Sequence, residues 1–100
     1  MRSKEQYTKF SPLTLAVKAR LKEARLSCGL KMIPAARDLG IARKVLEEME
    51  TTRNYGSHID LEMLVLAAKV YGVSVSSLIP TKPKGYGREW YIKPYKLSNK

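Results

Sequence analysis

Two short helical patterns meet at a single glycine in the stretch AARDLGIARKVLEEME, residues 35–50. Apolar residues recur at helical spacing on both sides of Gly40, which can adopt the left-handed conformation that ends a helix. Neither segment is long enough to be stable as an isolated helix. We therefore expect two helices at a steep angle around Gly40. The second should run from about Ala42 to Glu50, with one face packed and the other exposed.

The residues before this corner predict a longer helix. Ser11 and Pro12 are typical of a helix start, an N-cap hydroxyl followed by proline at the first helical position, and Gly29 marks the end. Apolar residues recur every three or four positions along one face of this helix. The basic residues that fall largely off that face are Lys18, Arg20, Lys22 and Arg25. Pro34 is expected to delay the helix before Gly40 by about one turn.

A loop and two further helices are predicted after the corner. Residues 51–59, TTRNYGSHI, contain turn-forming residues and no apolar period. Asp60 can cap a fourth helix that ends at Gly72, and Ser74 can cap a short fifth helix that Pro80 closes. The residues expected to point inward are Leu61, Leu64, Val65, Ala68 and Val70 in the fourth helix and Leu78 and Ile79 in the fifth. A short extended run fits residues 89–92.

The charge of the chain, +10 overall, is concentrated at its two ends. Residues 1–31 carry eight Lys/Arg and two Asp/Glu, residues 32–79 carry five and six, and residues 80–100 carry six and one. The sequence thus divides into a basic N-terminal arm (1–11), a near-neutral helical domain (12–79) and a basic, aromatic C-terminal tail (80–100). Basic ends favour a polyanionic partner, most often a nucleic acid. The alternative is that they serve solubility alone.

Length and composition argue against several other classes of protein. A chain of 100 residues forms one small core, and no nucleophile elbow, phosphate-binding loop or dinucleotide turn is visible. The single cysteine, Cys28, is expected to pack as a small apolar group, and the lone His58 cannot assemble a metal site. We expect no enzyme activity, metal, cofactor or membrane contact. Without a visible signal peptide or spanning segment, a cytoplasmic location is expected.

One set of residue spacings runs through the whole helical domain. It comprises Gly29-Leu30, Ala36, Leu39-Gly40-Ile41, Arg43, Leu46, Met49-Glu50, Leu61-Glu62, Leu64, Ala68-Lys69, Gly72-Val73-Ser74 and Leu78. In these residues, over about 13–79, the chain resembles the lambda-repressor-like (Cro/cI-type, xenobiotic-response-element type) helix-turn-helix family. The resemblance implies an all-α, five-helix domain that binds double-stranded DNA, usually as a homodimer on a two-fold operator.

The resemblance also implies roles for individual residues. The residues that would face the DNA major groove from the reading helix are Ala42, Arg43, Lys44, Glu47 and Glu48. An arginine there can bind guanine through two donors, and a glutamate can accept from cytosine. For the two glutamates a solvated or intramolecular ion-pair role is the alternative. A structural ion pair between Arg25 and Glu50 would join the first helix to the reading helix.

Phosphate contacts are expected beside the reading helix, where they set register and not sequence preference. The residues assigned to them are Lys31, Arg37, Thr51, Arg53 and Asn54. For Arg53 the alternative is a solvated loop arginine. The family often opens its second helix with a polar cap and a glutamine, whereas Met32 here cannot bond phosphate and Lys31 or Arg37 would have to substitute. The loop from Glu50 to Ile59 is also longer than is usual in the family.

The C-terminal tail admits three interpretations. Its basic residues can enter a groove or follow phosphates, its aromatic rings can pack on a partner subunit, or it can be disordered. We favour packing or dimerisation through Trp90, Tyr91 and Ile92. The reason is that four large rings, Tyr86, Trp90, Tyr91 and Tyr95, are more apolar surface than disorder usually leaves exposed.

Together these features predict a sequence-specific DNA-binding transcriptional regulator, most simply a phage- or mobile-element-type repressor acting as a homodimer. Alternatives within the class are the antitoxin and autorepressor of a toxin–antitoxin pair, whose tail would bind a protein partner, and a restriction–modification controller. The alternative of another class is a protein-interaction module on the same scaffold, with Glu47 and Glu48 facing a basic protein. RNA binding is favoured less, because a groove-reading helix suits duplex DNA.

Overall fold

The computed structural model describes residues 8–93, and over this range the chain is helical with no β-strand. The elements are α1 (Pro12–Ser27), α2 (Met32–Leu39), α3 (Arg43–Glu50), α4 (Leu61–Tyr71), α5 (Val75–Leu78) and a 3-10 helix (Arg88–Tyr91). The prediction of an all-α chain is confirmed for these residues. Expectations for residues 1–7 of the arm and 94–100 of the tail lie outside the described range. None of the described helices is both long and apolar enough to cross a lipid bilayer.

Cap residues fix the ends of the helices. The side chains of Ser11, Asp60 and Ser74 each accept a hydrogen bond of 2.8–3.2 Å from the backbone N–H three residues later. Such bonds satisfy donors that have no partner inside the helix. Gly40 and Gly72 end α2 and α4 in the left-handed conformation, with φ of 73° and 72°. Local sequence therefore determines where α2 stops and α3 begins.

The second helix begins before Pro34, not after it. Met32 is its first residue and Pro34 its third. The first four N–H groups of a helix lack intrahelical partners, so a proline in this turn removes no hydrogen bond. The prediction that Pro34 delays the helix was therefore wrong.

The core draws side chains from all five α-helices. The core residues that are at most 1% exposed include Leu21 from α1, Ala35 from α2, Leu46 from α3, Ala67 from α4 and Leu78 from α5. Because each helix contributes one buried face, the orientation of every helix about its own axis is fixed. The outward face of α3 is consequently set by the burial of the inward one.

The buried face of α4 differs from the predicted one. Its buried residues are Leu64, Ala67, Ala68 and Tyr71. By contrast, Leu61 and Val65 are 71% and 43% exposed, and Ile79, which follows the end of α5, is also exposed. Each residue turns a helix by about 100°, so the face shared by residues 64, 67, 68 and 71 points position 65 outward, whereas Leu61 lies at the edge of that face as the first residue of α4. The prediction that Leu61, Val65 and Ile79 point inward was wrong.

Lys18 in α1 and Cys28 just after it lie in environments that the sequence did not predict. Lys18 was placed off the apolar face, but it is fully buried, because its ammonium group has backbone acceptors inside the protein. Cys28 was expected to pack as an apolar group, but it is exposed just past the end of α1. Its thiol donates to the carbonyl oxygen of Arg25 at 3.3 Å.

The described part of the tail folds back on α1. Residues 88–91 form a 3-10 helix instead of the predicted extended run, since the Glu89 carboxylate accepts from the Gly87 N–H at 3.0 Å and closes a turn. Trp90 is 6% exposed within an element that contacts α1, and the Tyr86 ring meets it edge-on with centroids 5.0 Å apart. Trp90 thus packs on its own chain, whereas Tyr91 remains exposed.

Candidate functional site

The five residues predicted to read bases lie on one surface around the start of α3. Ala42 is the N-cap, Arg43 and Lys44 open the helix, and all three are exposed. Glu47 and Glu48 follow one turn later and are half-buried. The residues on the opposite, buried face are Leu46, Met49 and Glu50. The helix therefore presents its basic N-terminal end outward while its apolar side anchors it in the core.

A shallow cleft of about 670 Å³ runs across this surface. Its lining residues are Arg43, Lys44, Glu47, Glu48 and Tyr55. The sequence analysis gave Tyr55 no role because it lies in a loop without an apolar period. A large ring amid polar turn residues was the available signal, since Tyr55 is 68% exposed and exposed aromatic rings are favoured at binding surfaces.

Arg43 and Glu47 form an ion pair on the outward face of α3. The distance from Arg43 Nη2 to Glu47 Oε2 is 3.0 Å, and the residues are four apart, the spacing that brings side chains together on a helix. The Arg43 and Glu47 side chains are 62% and 43% exposed, so water screens the pair and it contributes only about 0.3–0.5 kcal/mol to stability. Arg43 can therefore leave Glu47 for another acceptor at little cost. The intramolecular role weighed for Glu47 is present, and its base contact stays a prediction.

The ion pair implied between Arg25 and Glu50 is present and buried. Arg25 Nε and Nη2 donate to the two carboxylate oxygens of Glu50 at 2.7 and 3.0 Å, and Nη1 donates to the Leu30 carbonyl oxygen at 2.9 Å. The hydrogen bonds with Glu50 raise the pKa of Arg25 above its ordinary value. This bidentate arrangement ties the last residue of α3 to α1 and to the connection between α1 and α2.

Lys18 makes a second attachment of α3 to α1, one that sequence reasoning missed. Its buried ammonium group donates to the carbonyl oxygens of Glu48 and Met49 at 3.0 and 2.9 Å, and to that of Ser57. Carbonyl groups at a helix C-terminus lack intrahelical donors and carry partial negative charge, which a cation stabilises. The Phe10 ring centroid lies 4.5 Å from the ammonium nitrogen.

The environment of Lys18 also alters its acidity. Burial, and secondarily the positive charge of Lys9, lower the pKa of Lys18 from its ordinary value of 10.5 to about 8.

The nearby His58 ring lies edge-on to Phe10 with centroids 4.8 Å apart. Burial first, and then Lys93, Lys9 and Lys18, lower the pKa of His58. His58 thus lies in the loop predicted for residues 51–59, in a cationic setting.

The loop after α3 folds back on the end of that helix. Ser57 N–H donates to the Glu48 carbonyl oxygen at 2.9 Å. A Cβ atom at Gly56 would lie 2.6 Å from Thr51 Cγ2 and 2.8 Å from the Glu48 oxygen, so only glycine fits there without a shift. This close approach places Tyr55 beside the exposed face of α3.

The residues assigned to phosphate contacts are found in two kinds of environment. Lys31, Arg37 and Arg53 are exposed. Thr51 Oγ1 instead accepts from the Arg53 N–H at 3.2 Å, and Asn54 Oδ1 accepts from the Lys9 N–H at 3.0 Å. These two oxygens therefore hold the loop and the end of the arm in place. The tail residues Trp90, Tyr91 and Ile92 do not line the cleft.

The described residues contain no group of three or more His, Cys, Asp or Glu side chains placed to hold a metal ion.

Comparisons of the chain with protein-family models, with curated proteins and with solved structures found no match.

Proposed function

We propose that this chain is a sequence-specific regulator that binds double-stranded DNA, with α2 and α3 as the helix-turn-helix of a lambda-repressor-like domain. One observation carries the proposal. Helix α3 is fixed by a buried face and by Arg25 and Lys18 at its C-terminal end, while Arg43 and Lys44 at its N-terminal end are exposed. Rigid support with a free basic end is what a base-reading helix needs.

The dimensions and chemistry of α3 suit the major groove. An α-helix with its side chains is about 10–12 Å in diameter, and the major groove, about 12 Å wide, admits one. Arg43 in this position can donate to guanine O6 and N7, and exchange of its exposed bond to Glu47 for two bonds to a base is inexpensive. Tyr55 would then pack against the sugar or phosphate beside the groove, as aromatic side chains do at such edges.

Electrostatics supports the same partner. The net charge of +10 draws the chain to any polyanion, and the affinity from phosphate contacts falls steeply as salt rises. The acidic Glu47 and Glu48 would oppose binding to phosphate, and in the free chain Arg43 partly offsets the charge of Glu47. The two carboxylates would favour selectivity over affinity, because they repel DNA whose phosphates or base acceptors lie opposite them. Occupying a promoter as a homodimer, and so excluding polymerase, is the simplest regulatory act for such a domain.

Selection of bound duplexes from a random-sequence pool tests the proposal. We expect the wild-type chain to enrich a motif, two-fold if the dimer binds. Arg43→Ala should weaken binding to that motif by roughly 5- to 150-fold, because a bidentate base contact contributes about 1–3 kcal/mol of discrimination. Arg88→Ala removes the same charge from an exposed position outside the cleft. It should weaken all duplexes slightly and equally.

Two results would contradict the proposal. One is the absence of any enriched motif at low salt. The other is a motif that Arg43→Ala and Arg88→Ala affect alike. Either result would favour a protein-interaction module in which Glu47 and Glu48 face a basic partner.

A further inference from the structure

The outward face of α4 carries large apolar side chains that the rest of the described chain leaves uncovered. Leu61, Val65 and Leu66 are 71%, 43% and 36% exposed. Glu62 and Lys69 are exposed beside them. At about 100° per residue, Glu62, Val65, Leu66 and Lys69 lie within an arc of about 100° opposite the buried face, and Leu61 lies between that arc and the buried Ala68. The α4 stripe, defined as these five residues, is thus an apolar centre with one acid and one base.

The order of charges along the α4 stripe is complementary to itself. Glu62 is the second residue of α4 and Lys69 is the third from its end, and Val65 and Leu66 lie midway between them. In an antiparallel pair of α4 helices, residues equally distant from the two-fold axis meet. With the axis level with the midpoint of residues 65 and 66, each Glu62 faces the Lys69 of the second copy.

The same arrangement brings like apolar residues together. Val65 meets the Val65 of the second copy on one side of the seam, and Leu66 meets its counterpart on the other. The antiparallel macrodipoles also place each helix N-terminus beside the C-terminus of the other helix. An apolar centre with charged residues toward the rim is the usual anatomy of a protein interface.

The apolar surface continues beyond α4 on one side. Leu64 lies next to Leu61 and Val65 on the helix surface. Leu64 lines a cleft of about 200 Å³ together with Leu13 of α1 and the exposed Ile79. Exposed apolar residues that adjoin a cleft with apolar lining differ from the single scattered ones found on any monomer surface.

We propose that two copies of this chain associate through the α4 stripe, with their α4 helices antiparallel. The inference deepens the proposed function, from which it takes the expectation of a homodimer. Glu62 and Lys69 lie equally far from the apolar midpoint of residues 65 and 66, so a second copy satisfies both charges while its apolar residues meet at the centre, and it is the occupant that the stripe favours.

Sedimentation equilibrium of the full chain without DNA tests the surface by charge reversal. Glu62→Lys and Lys69→Glu each place like charges opposite one another, so each should raise the dimer dissociation constant roughly tenfold or more. The double variant Glu62→Lys/Lys69→Glu should restore the dimer. A mixture of the two single variants should form a heterodimer, because every charged contact then joins opposite signs. Glu23→Lys, on the exposed surface of α1, should leave the constant unchanged.

Val65→Glu provides a second variant, since it places two carboxylates at the centre of the seam. Circular dichroism establishes that each variant is folded. The proposal is overturned by a wild type that stays monomeric at all concentrations, or by folded Val65→Glu and charge variants that dimerise as the wild type does. Failure of the proposed function is distinct: a dimer that enriches no DNA motif refutes DNA reading alone, and a monomer that enriches one refutes the α4 surface alone.

Discussion

Replacing Arg25 with methionine is expected to lower the free energy of unfolding by about 3–5 kcal/mol, because it leaves the buried Glu50 carboxylate without its cation. The lost Nη1 bond also deprives the Leu30 carbonyl oxygen of a donor. Urea denaturation at neutral pH measures the effect. Arg43→Met is the matched control, since it breaks an exposed ion pair and should cost less than about 1 kcal/mol.

The double variant Arg25→Met/Glu50→Leu separates two explanations of that loss. If the cost of the single variant comes from a stranded charge, removing both charges should recover much of the stability. If it comes from lost packing, the double variant should be at least as unstable as the single one. A loss below about 1 kcal/mol for Arg25→Met itself would show that the pair is solvated in solution.

Replacing Lys18 with methionine should cost about 2 kcal/mol at neutral pH. The change keeps most of the apolar stem but removes the donor from the Met49 and Ser57 carbonyl oxygens, and a buried acceptor without a partner costs about 1–3 kcal/mol. The Glu48 oxygen keeps the Ser57 N–H as a donor. Lys22→Met, on the exposed side of α1, should change stability by less than about 0.5 kcal/mol.

The pH dependence of stability gives Lys18 a separate signature. In the folded protein the pKa of Lys18 is about 8, against 10.5 for an ordinary lysine. Between these values the unfolded chain binds more protons, so the free energy of unfolding rises with pH. We expect a gain of about 2 kcal/mol from pH 8 to 10 in the wild type, and none in Lys18→Met. A neutral amine still has two N–H donors, enough for the Met49 and Ser57 carbonyl oxygens, while the Glu48 oxygen keeps the Ser57 N–H as a donor.

A fall in stability should follow at higher pH for a different reason. Burial raises the pKa of Tyr71 to about 12, so the unfolded chain loses this proton first and stability falls above pH 10. The change in the free energy of unfolding between pH 7.5 and 10 therefore reports mainly the titration of Lys18. A wild-type curve that is flat or falling over that interval, or a rise that Lys18→Met retains, would contradict this account.

The sequence predicted those features that depend on local chemistry. Glycines in the left-handed conformation end helices over a few residues, so the C-terminal ends of α2 at Gly40 and of α4 at Gly72 followed from the sequence. The outward placement of Arg43 and Lys44 was implied by the family resemblance. The pair of Arg25 with Glu50 was implied by the family resemblance. Helix ends depend on neighbouring residues, and the ion pair belongs to a family motif, so both kinds of feature can be predicted from the sequence alone.

Features that depend on tertiary contacts were missed. Lys18 is buried because the last turn of α3 and the loop after it supply carbonyl acceptors, and no pattern within α1 reveals them. Its spacing from Leu21 and Arg25, three and seven residues, was the available signal that all three share a face. For α4, apolar residues on both sides of the helix left the inward face undetermined, and contacts with α1, α2 and α5 decide it.

The central claim is that the exposed face of α3 contacts base pairs, and nuclear magnetic resonance tests it most directly. The ¹H–¹⁵N spectrum of the full chain would be followed as the duplex recovered from the selection is added. The account predicts the largest amide shifts at residues 42–48 and at Tyr55, with intermolecular contacts from Arg43 and Lys44 to major-groove protons. Shifts confined to α4 or to residues 80–93, with α3 unchanged at saturation, would contradict it.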